Sequence, residues 1–144
     1  MFIFQGSPVV DPPADAIGFI YRIVHQPTGK FYIGRKLLHK KKTRQVKGKK
    51  KSVLVESDWR TYFGSSPALL GEITLNGPDQ YTREILTFVN TRGALMYAEE
   101  LALFLCGALE RDDCYNGNIR SKIMRSWIYG KLDTAPLRAA LSFH

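Results

Sequence analysis

The sequence predicts a small α+β domain in which a short antiparallel β-sheet of three strands packs with helices. Three observations carry that expectation. Residues 17–24 (IGFIYRIV) and the run KFYIG at 30–34 are rich in β-branched and aromatic side chains and flank the turn-forming tetrapeptide QPTG. Residues 80–89 (QYTREILTFV) alternate well enough for a third strand. The stretch ALMYAEELALFLCGAL that follows is apolar nearly all round, as in a helix buried on most sides.

In chain order, the opening MFIFQGSPVVDPPADA, residues 1–16, has no basic start, and Pro8, Pro12 and Pro13 interrupt it. It reads as a loose arm rather than a secretory leader. Pro27 then presets φ at the second position of a turn and Gly29 accepts a positive φ, so the flanking runs pair as a hairpin. Whether Tyr21 and Tyr32 share a face depends on the parity of that turn. An even-numbered loop makes them diagonal neighbours about 7–8 Å apart. A three-residue loop sets them on opposite faces unless a bulge intervenes.

A basic insertion, residues 36–51, contains glycine and no apolar periodicity and reads as a loop, with VLV at 53–55 as a short strand. Ser57 or Asp58 caps a short helix over DWRTYF. Ser66 caps another, with Pro67 at its first position and Gly77 beyond its end. Thr91 caps the long helix, roughly 92–109. The loop ERDDCYNGN leads to a last helical segment near 119–130 bearing Arg120, Lys122 and Arg125. With no repeat, the chain reads as one domain over 17–117 and a helical extension over 118–144.

Charge says more than composition. The net charge is +8, and ten cations (Arg35, Lys36, Lys40, Lys41, Lys42, Arg44, Lys47, Lys49, Lys50, Lys51) fall between residues 35 and 51 with no acid among them, leaving 11 basic against 13 acidic residues elsewhere. Such a segment attracts a polyanion, because each lysine or arginine near a phosphate releases condensed counterions. No apolar face accompanies the lysines, which favours nucleic acid over an anionic membrane surface. No apolar run is long enough to span a bilayer. Cys106 and Cys114 form no CxxC pair, and His25, His39 and His144 complete no zinc spacing. The expectation is a soluble, cytoplasmic protein with reduced thiols.

Several chemistries fall away. No P-loop or dinucleotide glycine fingerprint exists, so nucleotide hydrolysis and hydride transfer are set aside. Ser-His-Asp and Cys-His arrangements find little support among three histidines. What remains is a carboxylate, several tyrosines and cations, a set suited to metal-assisted cleavage of a phosphodiester. Glu99 and Glu100 interrupt an otherwise apolar helix, where an unpaired buried carboxylate is costly. Either one of them reaches a compensating cation at the helix edge, or both face solvent. Mg²⁺ (or Mn²⁺ in its place) fits the first case, since Mg²⁺ binds through one or two carboxylates, several waters and substrate phosphate. A free phenol has a pKa of about 10, and neighbouring cations or a metal lower it. Tyr21 or Tyr32 beside Arg35 then accepts a proton from an attacking water.

The run FIYRI, then FYIGR with the two tyrosines eleven residues apart, together with W…Y, FGSS, a strand, a glutamate-bearing helix and Tyr115–Asn116, resembles the GIY-YIG nuclease family. The likeness covers about residues 17–117 and is nearest to small phage-type endonucleases with a lysine-rich insertion. It implies a DNA endonuclease in which Tyr21 activates the attacking water and Tyr32 orients the water or the phosphate. It places Arg35 near the scissile phosphate, makes Tyr62 the first-helix aromatic, gives Glu99 (or else Glu100) the divalent metal, and has Asn116 support the site. The lysine tract from Lys36 to Lys51, with Arg60, then holds DNA. Three departures stand out. Gly18 is displaced by one place from the first motif. Asp58 occupies the place of the family's helix arginine, with Arg60, Arg44 or Lys42 as substitutes. Only residues 118–144 remain for a DNA-reading module, which favours broad or structure-dependent cutting. The alternative class is a nucleic-acid-binding protein that keeps the scaffold without catalysis.

Overall fold

Five strands, not three, build the main sheet in the computed structural model, which describes residues 1–119 and 125–141 of the 144. β1 (Ile3–Phe4) and β2 (Ser7–Pro8) are short; β3 (Gly18–His25) and β4 (Phe31–Leu37) are the expected hairpin. β5 (His39–Val46) and β6 (Lys49–Glu56) form a separate two-stranded ribbon, and β7 (Tyr81–Val89) is the alternating run. The main sheet runs β2-β1-β7-β3-β4, with β1 parallel to β7 and the other neighbours antiparallel. Among the described residues the helices are α1 (Pro67–Asn76), α2 (Arg92–Leu105), α3 (Arg125–Ile128) and α4 (Ala135–Leu141).

The β3–β4 turn settles the parity question. The His25 N–H donates to the Lys30 carbonyl at 2.8 Å and the Gly29 N–H to the His25 carbonyl at 2.7 Å, leaving an even loop in which Gly29 takes φ +75°. The His25 ring braces it from Thr28 Oγ1 (2.7 Å) and Gln80 Oε1 (2.9 Å). Tyr21 therefore lies opposite Gly34 and Ile23 opposite Tyr32, so both tyrosines face the same side. Between β3 and β7 the register slips at Ile20/Tyr21, where Leu86 is the extra residue.

Alternation divides the side chains between two cores. Ile20, Phe31, Ile33 and Leu86 pack with Leu95, Ala98 and Ala102 of α2 and with Leu137 and Leu141 of α4. On the opposite face Phe19, Tyr21, Ile23 and Ile85 pack with Phe2, Trp59 and, from α1, Leu69 and Ile73. The caps fall where expected: Ser66 Oγ accepts from Leu69 N at 3.3 Å and Thr91 Oγ1 from Ala94 N at 3.1 Å. Gly77, beyond α1, takes φ +88°.

Four expectations change. The N-terminal arm is tied down: Phe2 is 1% exposed in the second core, and β1 adds to β7. The basic insertion is no loop but part of the β5–β6 ribbon, closed by Lys47 (φ +50°) and Gly48 (φ +76°). DWRTYF shortens to a single 3₁₀ turn, Trp59–Thr61, whose first N–H reaches Ser57 Oγ at 3.3 Å. The long helix stops at Leu105; Gly107 (φ +65°) and a 3₁₀ turn, Ala108–Glu110, follow it. Of the segment expected near 119–130, Arg120 and Lys122 lie outside the described residues. No helix among the described residues is long and apolar enough to cross a membrane.

Candidate active site

Three phenols meet over β4. Tyr21, 1% exposed, has its ring centroid 6.1 Å from that of Tyr32 and 5.9 Å, edge-on, from that of Tyr62. Two glycines make room for them. A Cβ at Gly34 would lie 2.3 Å from the Tyr21 hydroxyl, and one at Gly64 would come within 3.3 Å of the Tyr32 ring and 3.4 Å of the Tyr21 hydroxyl. Gly64 also sits at φ +89°, a conformation that costs glycine nothing. The Tyr32 hydroxyl lies 3.3 Å from Ser65 Oγ.

Burial is the main influence on both hairpin phenols. It pushes Tyr21 far above its ordinary range, and the charges of Tyr32, Tyr62 and Glu99 push the same way. Tyr32 is raised by burial too, but the Ser65 hydroxyl opposes the shift. Cations bring neither phenol down, contrary to the expectation from sequence; both are shifted up instead.

A cation does stand beside Tyr62, and it comes from β4. Residues 32, 34 and 36 share a face of that strand, so Lys36 follows Tyr32 toward Tyr62. Its Nζ stands 3.9 Å from the centroid of the Tyr62 ring and 2.6 Å from Asp58 Oδ1. Asp58 is held below the usual carboxylate range by that hydrogen bond. The expected substitutes are elsewhere. Arg60 bonds Glu56 Oε1 (3.0 Å) and the Val10 carbonyl (2.8 Å) and stacks on Trp59, while Lys42 and Arg44 project on the ribbon. The segment carrying Tyr62 is fixed by Arg83, whose guanidinium donates to the carbonyls of Arg60 (3.1 Å) and Tyr62 (2.9 Å) between the rings of Phe2 and Phe63. No sequence signal marked this buried arginine.

Glu99 approaches from α2, on the opposite side of β4. It lies 3.8 Å from Arg35 Nη1, and the Arg35 backbone N–H is directed at its carboxylate. Burial pushes its pKa up, Arg35 opposes that, and Glu100 adds to it. Glu99, not Glu100, pairs with Arg35; the buried Glu100 Oε1 has no hydrogen-bond partner among the described residues. The charge of Glu99 reaches both hairpin phenols, so the two sides of β4 form one electrostatic unit.

Asn116 and its neighbours occupy the outer margin of β4. Asn116 accepts from Ile33 N (2.9 Å) through Oδ1 and donates to the Ile33 carbonyl (2.7 Å) through Nδ2. Phe31 N bonds the Asp113 carbonyl (2.9 Å), and its carbonyl accepts from Tyr115 N (2.8 Å). Tyr115 itself donates to Glu72 of α1. Beside the Arg35 end of the strand opens a groove of about 500 Å³, lined by Arg35, Lys36, His39, Lys40, Lys41 and Arg92 among others. Arg92 is a further cation that the sequence did not single out.

This geometry accompanies a family match that covers most of the chain: residues 2–119 fit the family described as "Putative endonuclease segE, GIY-YIG domain". The chain belongs to the SegE-type GIY-YIG family. No curated protein and no solved structure matches it. Membership extends the likeness to the N-terminal residues and makes this a chain of the endonuclease class. No group of three or more His, Cys, Asp or Glu among the described residues is placed to hold a metal ion. Glu99, half-buried and beside only a loose arginine partner, fits an ion that takes its remaining ligands from water and phosphate.

Proposed function

We propose that the chain is a metal-dependent endonuclease that hydrolyses phosphodiester bonds in DNA. The observation that carries this is the convergence at β4 of Tyr21, Tyr32 and Tyr62 with Lys36, Arg35 and Glu99, beside a groove lined with cations. Glu99 would hold Mg²⁺ or Mn²⁺, which when bound supplies Lewis-acid stabilisation of charge on the phosphate oxygens. Arg35, free to leave a 3.8 Å partner, turns to the scissile phosphate. Lys36 stabilises negative charge on the Tyr62 side. Tyr32, the less enclosed phenol and the one with Ser65 at its hydroxyl, would lose its phenolic proton to solvent where a bound divalent cation favours the phenolate, and would then take the proton of the attacking water, while Tyr21 donates a hydrogen bond that orients the reacting groups. Asn116 acts through Ile33 by fixing the height of β4, and is a positioning residue.

Supercoiled plasmid with and without Mg²⁺ tests this reading. Wild type is expected to nick in Mg²⁺. Glu99→Gln is expected to lose nicking by on the order of 100-fold or more while binding DNA in EDTA as wild type does. Equal nicking by the two proteins overturns the metal assignment.

A further inference from the structure

The β5–β6 ribbon extends the active-site strand after one residue, Leu38, and its root is fixed. Leu38 is 2% exposed and donates to the Ile17 carbonyl at 2.9 Å, while Ser57 bonds the Leu38 carbonyl (2.8 Å) through its N–H and the Leu37 carbonyl (2.6 Å) through its hydroxyl. Beyond that root every residue from His39 to Glu56 is exposed except Val53 and Val55. Eight paired rungs at about 3.3 Å per residue give an arm about 26 Å long.

Its register sorts the side chains by chemistry. One face carries Lys41 opposite Leu54, Thr43 opposite Ser52, and Gln45 opposite Lys50. The other carries Lys40, Lys42, Arg44, Lys49 and Lys51 together with Val46, Val53 and Val55, with Arg44 directly opposite Lys51. Like charges facing each other across a ribbon are unfavourable, and a polyanion removes that cost. The arm has no aromatic residue on which single-stranded bases would stack. The major groove, about 12 Å wide, admits a two-stranded ribbon as it stands, whereas the minor groove of about 6 Å must be widened and the duplex bent to take one.

Resting on the reading that the substrate is DNA, we propose that the arm lies in the major groove of a duplex and reads it. Thr43, Gln45, Lys50 and Ser52 reach base edges, with Leu54 available to a thymine methyl. The cations of the opposite face reach around the ribbon to the flanking phosphates. The arm is thus the specificity element, and cutting is sequence-biased rather than broad.

Dimethyl sulfate tests both grooves at once, since it methylates guanine N7 in the major groove and adenine N3 in the minor groove. Full-length wild type is bound in EDTA to mixed-sequence duplexes about one to three helical turns long. Guanine N7 protection with adenine N3 left open is expected; N3 protection with N7 open overturns the proposal. In competition among those duplexes, the combined Thr43→Ala, Gln45→Ala, Ser52→Ala variant is expected to lose at least tenfold of the wild-type preference and to keep its salt dependence. A wild type that binds all sequences alike, or a variant that keeps the preference, also overturns it. N7 protection without nicking in Mg²⁺ upholds the arm and defeats hydrolysis; nicking without N7 protection does the reverse.

Discussion

At the scale of single residues, the site depends on absent side chains as much as on present ones. Tyr21 lies flat over its own hairpin because Gly34 has nothing to put in the way; a methyl there would meet the phenol oxygen at 2.3 Å. Gly34→Ala is expected to cost about 1–3 kcal/mol in urea unfolding, as overpacked cores do, and to abolish nicking. Burial also links Tyr21 to pH. The folded protein keeps this phenol protonated at pH values where the unfolded chain releases the proton, so the unfolded state is favoured as pH rises past about 10. The contribution is fully present below that pH and lost above it. Wild type is therefore expected to lose stability between pH 9 and 11 faster than Tyr21→Phe, measured by urea unfolding at each pH; parallel profiles would contradict the burial argument. Much of this scale was legible: the two tyrosines, Arg35, Glu99 and Asn116 were all singled out. The cation beside Tyr62 was not, because Arg60, Arg44 and Lys42 were favoured for closeness in sequence while Lys36 arrives from the neighbouring strand. Nor was Arg83, because a buried arginine satisfied by main-chain carbonyls leaves no periodic trace.

At the scale of elements, β4 is a margin strand whose outer groups are taken up one by one: Phe31 by residues 113–115 and Ile33 by the Asn116 amide, with Glu99 next to Arg35 beyond them. Asn116→Ala opens the middle of that row. The expected cost is about 1–3 kcal/mol for the two backbone groups left behind, with a fall in kcat at little change in KM, since no substrate contact is removed. The N-terminal strand is equally structural: Phe2 stacks edge-on against Phe19 (5.1 Å) and Tyr21 (5.9 Å). Phe2→Ala is expected to cost about 3–5 kcal/mol by the same urea measurement. Sequence reading missed this strand because two residues cannot display a period and the prolines nearby argued for disorder. It missed the ribbon because lysines on both faces erase the apolar alternation by which strands are recognised. Caps, by contrast, rest on single residue types at fixed positions, and Ser66 and Thr91 fell into place.

At the scale of the whole molecule, positive charge runs from the groove beside Arg35 out along the arm, while the remainder of the chain is nearly balanced. Neutralising Lys49 and Lys51 together to Gln is expected to reduce the slope of log K against log salt by about 2; an unchanged slope would mean that these side chains touch no phosphate. The same charges bear on solubility. Both strands of the ribbon leave their outward N–H and C=O groups free to recruit another strand, and lysine is the residue type that discourages such recruitment. Acetylating those amines, or masking them with concentrated salt, therefore removes a guard against self-association and lets copies stitch together arm to arm.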